Sequence, residues 1–206
     1  MDISSYAIIF LKAMLILGYV VLSTYYLYTA GLISRDNANS INELHGWKRA
    51  IPAIILFSLI GIFAHHFFSF ESEGFLIAER SFIATAAGLI CGPFTGIASG
   101  LIIGGEELMM GEAGSICGAL TTVIGGALGG IIYWMAGNRF PRIMAAITTA
   151  LVTEFIHLAL LWFFTGSAGQ NFVLNYGISI ICLNALTMLG FSIIYLGIIR
   201  KKPLEW

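Results

Sequence analysis

Five polar side chains interrupt the long apolar runs of the sequence: His65, His66, Glu154, His157 and Asn184. Polar and ionisable groups are costly inside a membrane segment, so each is a functional candidate. Glu154 and His157 are three residues apart and share one face of a helix, where they can pair. A Glu-x-x-His spacing also binds iron in helical bundles, but those need a second such motif and two more carboxylates, which the sequence lacks. The spacing therefore favours a packing pair over a metal centre.

These side chains must be positioned by membrane helices. Hydrophobic residues make up 58% of the 206 residues and charged residues only 10%, against roughly 25% charged in an ordinary soluble domain. About 20 apolar residues span a bilayer as a helix, and the runs of that kind are 5–28, 50–70, 81–105, 116–135, 143–164 and 173–199. The sequence predicts a compact, all-α integral membrane bundle of five to six transmembrane helices.

The organisation of the chain follows from these runs. We expect one membrane domain over 1–206, with a first helix and polar loop in 1–49, a core in 50–199 and the start of a linker in 200–206. The first run contains Lys12 and no small-residue cleavage pattern follows it, so it is predicted to be a retained helix. A net charge of −1 excludes a basic surface for nucleic acid. No nucleophile is paired with a base, so neither catalysis nor a cofactor is expected.

The third run holds Gly92-Pro93 at its centre. As a straight helix its 25 residues would extend about 37 Å, and proline breaks such a helix. The run is either a kinked crossing or a re-entrant hairpin of two half-helices. Basic residues collect in cytoplasmic loops. Six crossings would place six of the loop Lys and Arg residues inside and three outside, whereas the hairpin would place eight inside and one outside. The count favours the hairpin, with a cytoplasmic C-terminus.

The hairpin would gather most of the charged loop residues on one extracytoplasmic face. These residues are Glu71, Glu73, Glu79, Arg80, Glu106, Glu107 and Glu112. Arg80 would begin one half-helix and Glu107 would end the other, close enough for an ion pair. The alternative is that each is an ordinary solvated loop charge.

Glycines recur every four residues through the third run, at Gly88, Gly92, Gly96, Gly100 and Gly104. Small residues at this spacing allow helix backbones to approach closely in lipid. A phosphate-binding loop would need a preceding strand and a following Lys-Ser or Lys-Thr, and neither is present. We therefore predict that these glycines, with Pro93, shape a helical hairpin.

The motif E-G-F-L-I-A-E-R lies at 73–80 and is followed by Gly88, G-P-F-T-G at 92–96, Gly100 and Gly104. This pattern resembles the membrane sensor domain of LytS-type histidine kinases. The resemblance covers about 50–199. It implies a homodimeric receptor among the lipids of the bacterial inner membrane that passes a small extracellular signal to a cytoplasmic kinase or diguanylate cyclase. Pyruvate-like carboxylates are ligands in that family. The binding candidates are then Arg80, Glu73, Glu106, Glu107, Ser115 and Cys117.

The sequence departs from the family pattern in two places. Ala78 replaces an asparagine, and Glu106 and Glu107 replace a His-Arg pair. An acid therefore stands where a second cation would help to bind a carboxylate, so a zwitterion or a cation is an alternative ligand.

Other functions remain open at this level. A substrate-binding membrane subunit of a vitamin-type transporter has a similar size and a comparable G-P-x-x-G stretch. The final segment R-K-K-P-L-E-W carries no output domain, so the chain is either a truncated receptor module or the partner of a separate output protein.

Overall fold

The computed structural model describes residues 3–30, 43–72, 74–77 and 79–199. Within these ranges it contains seven helices and a two-stranded antiparallel β-ladder. The helices are α1 (Ile3–Thr29), α2 (Glu43–Phe68), α3 (Arg80–Cys91), α4 (Pro93–Met110), α5 (Ser115–Met135), α6 (Ile143–Phe164) and α7 (Gly166–Ile194), and the strands are β1 (Phe70–Ser72) and β2 (Phe75–Ile77). A π-helical turn, Tyr195–Ile199, continues α7.

Five of the helices are long and apolar enough to cross a membrane. Their candidate spans are Phe10–Thr29, Ala50–Phe68, Ser115–Met135, Ile143–Phe164 and Gly166–Gly197. The 12 residues of α3 extend only about 18 Å, which is short of a hydrocarbon core of ~30 Å. The predicted all-α membrane bundle is confirmed, with five candidate membrane spans.

The third apolar run forms a helical hairpin of α3 and α4. Gly92 joins the two helices with φ 91°, a left-handed value that favours glycine. Pro93 begins α4, where the missing N–H of proline costs no helical hydrogen bond. A methyl group on Gly96 would lie 2.8 Å from the Cα of Gly88, so the two half-helices touch through their backbones. The run therefore reverses direction, as the charge count predicted.

The reversal brings the start of α3 and the end of α4 to one end of the bundle, here named the Arg80 end. Helix α5 packs against both arms of the helical hairpin. Methyl groups on Gly100 and Gly104 would each lie 2.9 Å from a carbonyl oxygen of α5, those of Thr122 and Ala119. Close backbone contact of this kind gives the dispersion energy that holds helices together in lipid.

A buried aromatic core packs within the bundle. Phe191 packs edge-on against Phe82 and Phe140, at centroid distances of 6.0 and 5.9 Å, and Phe140 lies 4.5 Å from the ring of Tyr195. These buried rings join α3, α7 and the segment before α6. The large apolar side chains on the outside of the bundle, such as Ile178, which is 79% exposed, are suited to contact with lipid.

The β-ladder covers the Arg80 end. Phe70 pairs with Ile77 and Ser72 with Phe75, and Phe75 also forms a parallel bridge to Ala113 in the segment between α4 and α5. The sequence prediction treated this stretch as an acidic loop. Three residues in each strand are too few for alternation to stand out in a sequence.

The two ends of the bundle are predicted to face opposite sides of the membrane. Glu71 and Ala113 are exposed at the Arg80 end, and Arg139 is exposed in the segment between α5 and α6. In a background without the three native cysteines, we expect Glu71→Cys and Ala113→Cys to react with an impermeant thiol reagent on intact cells. Arg139→Cys should react only after permeabilisation, because basic loops stay in the cytoplasm. Labelling of Glu71→Cys and Ala113→Cys from opposite sides would contradict the helical hairpin.

Candidate ligand cavity

A small cavity lies at the Arg80 end, beneath β2 and between α3, α4, α5, α6 and α7. Its volume of about 40 Å³ has room for about three water molecules or a small organic group. Part of its lining is charged or polar and is formed by Glu79, Arg80, Glu107, Glu112, Glu154, His157 and Asn184. The apolar part of the lining is formed chiefly by Phe75, Leu161, Phe172 and Ile180.

A buried ion pair joins the two arms of the helical hairpin. Arg80 Nη2 lies 2.7 Å from Glu107 Oε1, and their side chains are 6% and 4% exposed. Arg80 is the first residue of α3 and Glu107 lies in the last turn of α4, so the reversal at Gly92 is what brings them together. A methyl group on Gly118 of α5 would collide with the Glu107 carboxylate. Gly118, which the sequence analysis did not single out, therefore makes room for this pair.

The ion pair extends into a network that reaches α2. Arg80 Nη1 donates to Nδ1 of His65, and His65 Nε2 lies 3.6 Å from Glu112 Oε1. The neighbouring His66 has its Nε2 3.1 Å from Glu106 Oε1. Arg80 therefore bonds to groups on two elements, α2 and α4, and occupies both of its terminal nitrogens.

His65, His66 and Glu106 bring their ligand atoms within 4.8 Å of one another, the spacing of a possible metal site. Because guanidinium nitrogens can only donate, Arg80 makes Nδ1 of His65 the acceptor and leaves the proton of the neutral ring on Nε2. A metal would need a free lone pair on Nε2, which lies 3.6 Å from Glu112 Oε1. The arrangement thus favours the hydrogen-bonded network over metal ligation.

The Glu154 carboxylate connects α6 to α7. Its Oε1 accepts from His157 Nδ1 at 2.9 Å, and its Oε2 accepts from Asn184 Nδ2 at 2.7 Å. The pair of Glu154 and His157 is the one predicted from their spacing. Asn184, 30 residues further along the chain, joins them only through the packing of α6 against α7.

Three buried acceptor atoms at the cavity make no hydrogen bond within the described ranges: Glu79 Oε2, Glu107 Oε2 and Asn184 Oδ1. Their residues are all more than nine-tenths buried. Glu79 precedes α3, and its burial, reinforced by the charge of Glu154, raises its pKa to about 8. Unpaired buried acceptors are costly, and Glu107 Oε2 and Asn184 Oδ1 can only accept, so the cavity is suited to a ligand that supplies donors.

The remaining sequence candidates lie beside the cavity or beyond the described chain. Among the described residues, Ser115, Cys117 and Glu106 are outside the cavity lining. Ser115 Oγ donates to the Glu112 carbonyl at 2.6 Å, and Cys117 packs in the apolar cluster of Phe75 and Phe172. Glu73 lies outside the described residues, as do 31–42 and the expected linker 200–206.

The architecture defines a class: a multi-pass helical membrane protein with a small charged cavity at one end of a helical hairpin. The family described as "5TMR of 5TMR-LYT" matches residues 37–201. The chain belongs to this five-transmembrane receptor family, the sensor domain of LytS-type kinases, as its motifs predicted. Comparison with curated proteins and with solved structures found no match.

Proposed function

We propose that the chain is the ligand-sensing module of a bacterial signalling protein in the inner membrane. A small extracellular molecule binds in the cavity at the Arg80 end, and the C-terminal end of α7 passes the signal to a cytoplasmic kinase or cyclase. The observation that carries this proposal is a buried, charged cavity in a member of a receptor family. The ligand is a pyruvate-like carboxylate, a zwitterion or a cation.

The cavity is suited to signalling because its walls belong to two groups of helices. Arg80 and Glu107 come from the helical hairpin, whereas Glu154 and Asn184 come from α6 and α7. A molecule that bonds to both groups changes the free energy of their relative positions. Helix α7 continues into the turn Tyr195–Ile199 at the far end of the bundle, so a shift of α7 would reach the C-terminal side of the membrane.

Binding without turnover is the activity that we propose. Sensor domains of this family are not themselves catalytic, and we propose the same of this chain. Its further partners would be membrane lipids, a second copy in a homodimer and the cytoplasmic output.

The test is a matched pair of tryptophan variants on α7. Ile180 lines the cavity, while Ile178 of the same helix faces outward. A ligand that binds only the folded state raises its thermal stability, so a panel of small carboxylates, amino acids and amines can be screened against the purified protein. Compounds that stabilise the wild type should stabilise Ile178→Trp equally and lose their effect on Ile180→Trp, whose larger ring fills the cavity.

Reconstitution separates sensing from transport. When the chain is joined to a histidine kinase and placed in proteoliposomes, a bound compound should change autophosphorylation without accumulating inside the vesicles. Equal stabilisation of both tryptophan variants would place the ligand elsewhere. Uptake of the compound would instead support the transporter alternative.

A further inference from the structure

We infer that the cavity binds a small molecule through a cationic nitrogen, as in an amine, a guanidinium compound or a zwitterionic amino acid. This inference rests on the proposed function and names the ligand class of the same site. Four acidic side chains line the cavity, those of Glu79, Glu107, Glu112 and Glu154, against the one guanidinium of Arg80 and the imidazole of His157.

The guanidinium group is already occupied. Arg80 Nη2 bonds to Glu107 and Nη1 to His65. A carboxylate ligand in bidentate contact with Arg80 would have to displace Glu107, which is 3% exposed. The displaced carboxylate would then be buried without a partner, and that state is strongly unfavourable.

The free acceptors point to the same ligand class. Glu107 Oε2 and Asn184 Oδ1 lack a hydrogen-bond donor among the described residues, and the unpartnered Glu79 Oε2 becomes a third such acceptor when its carboxyl is ionised. An ammonium group carries three donors and no acceptor, whereas a carboxylate carries acceptors only. An ammonium ligand therefore satisfies buried atoms that a carboxylate would leave unpaired or repel.

The rest of the cavity limits the body of the ligand. Phe75 and Phe172 lie 4.9 Å apart, centroid to centroid, and with Leu161 they supply apolar lining to the same cavity as the acidic side chains. A volume of about 40 Å³ leaves room for a short alkyl group. The ligand is thus a cationic head with a small apolar body.

The carboxyl group of Glu79 should make the affinity for a cationic ligand depend on pH. Its raised pKa of about 8 means that its carboxyl carries a proton at neutral pH. A cation beside Oε2 favours the ionised form, so a cation that does not itself titrate should bind more tightly as the pH rises from 7 to 9. The other charged or titratable groups that line the cavity with Glu79 are Arg80 on α3, Glu107 on α4, Glu112 before α5, and Glu154 and His157 on α6.

The probes are five molecules of similar size: ethylamine, methylguanidinium, alanine, propionate and pyruvate. Calorimetry on the full chain in lipid nanodiscs at pH 7 should show binding of ethylamine, methylguanidinium and alanine, and none of propionate or pyruvate. Glu107→Gln should weaken the binding of ethylamine about tenfold or more. Because this substitution frees Arg80, it should also allow pyruvate to bind. Glu79→Gln, which keeps the ion pair, should weaken the binding of methylguanidinium and reduce its pH dependence.

Glu71→Gln is the control, since it removes an exposed carboxylate of β1 at the same end, and its binding profile should equal the wild type's. Pyruvate or propionate binding to the wild type without any cationic probe overturns the inference and leaves the proposed sensor standing. Failure of all five probes also overturns the inference. The proposed sensor fails separately, when the tryptophan pair of α7 shows no ligand in the cavity.

Discussion

Gly126→Ala is expected to prevent the bundle from packing. A methyl group at this position of α5 would lie 2.5 Å from the carbonyl carbon of Gly96 and 3.2 Å from its Cα. Both atoms are backbone of α4, so no rotamer change can make room. Overpacking a tight core costs 1–3 kcal/mol and occasionally more, and we expect about 3 kcal/mol or more here because two helices must separate. The thermal midpoint of the purified protein and its elution as a single species measure the effect.

Gly105→Ala is the matched control in α4. No described atom lies within 4 Å of the position of its methyl group, and alanine favours the helix over glycine by up to about 1 kcal/mol. Stability should be unchanged or slightly increased. Equal stability of Gly126→Ala and Gly105→Ala would show that direct backbone contact between α4 and α5 is not needed.

Much of the fold could be predicted because the hydropathy and the length of each apolar run are set by the hydrocarbon core that a helix must cross. The apolar runs marked the spans, and Gly92-Pro93 with the loop charges marked the reversal. Helix ends were less accurate. Helix α7 begins at Gly166 although its apolar run was placed from 173, and α2 begins at Glu43 although its run was placed from 50. Hydropathy reports where lipid begins, whereas a helix continues through polar residues into the interface.

The site could be predicted only where residues are linked by local geometry. Their spacing of three residues predicted that His157 lies beside Glu154. The reversal at Gly92-Pro93 predicted that Arg80 lies beside Glu107. The burial of Glu79 and the bond from Asn184 to Glu154 depend on how the β-ladder and α7 pack over the hairpin. Sequence spacing carries no information on such tertiary contacts.

The buried pair of Arg80 and Glu107 should show strong energetic coupling. Arg80→Gln removes the cation but leaves Glu107 almost fully buried, and breaking such a pair from one side costs about 3–5 kcal/mol. Replacing both charges by amides leaves no buried ion without a partner. We therefore expect the double variant Arg80→Gln/Glu107→Gln to be more stable than Arg80→Gln alone, although it carries one more substitution.

A double-mutant cycle on thermal or denaturant unfolding in detergent measures this coupling. Each single variant should lower stability, and the double variant should recover at least about 1 kcal/mol relative to Arg80→Gln. Arg80 also donates to His65, so recovery should be incomplete, because Nδ1 of that buried ring loses its charged donor. Strictly additive losses would show that the two side chains act independently, and the ion pair would then not be what holds the two arms of the helical hairpin together at the cavity.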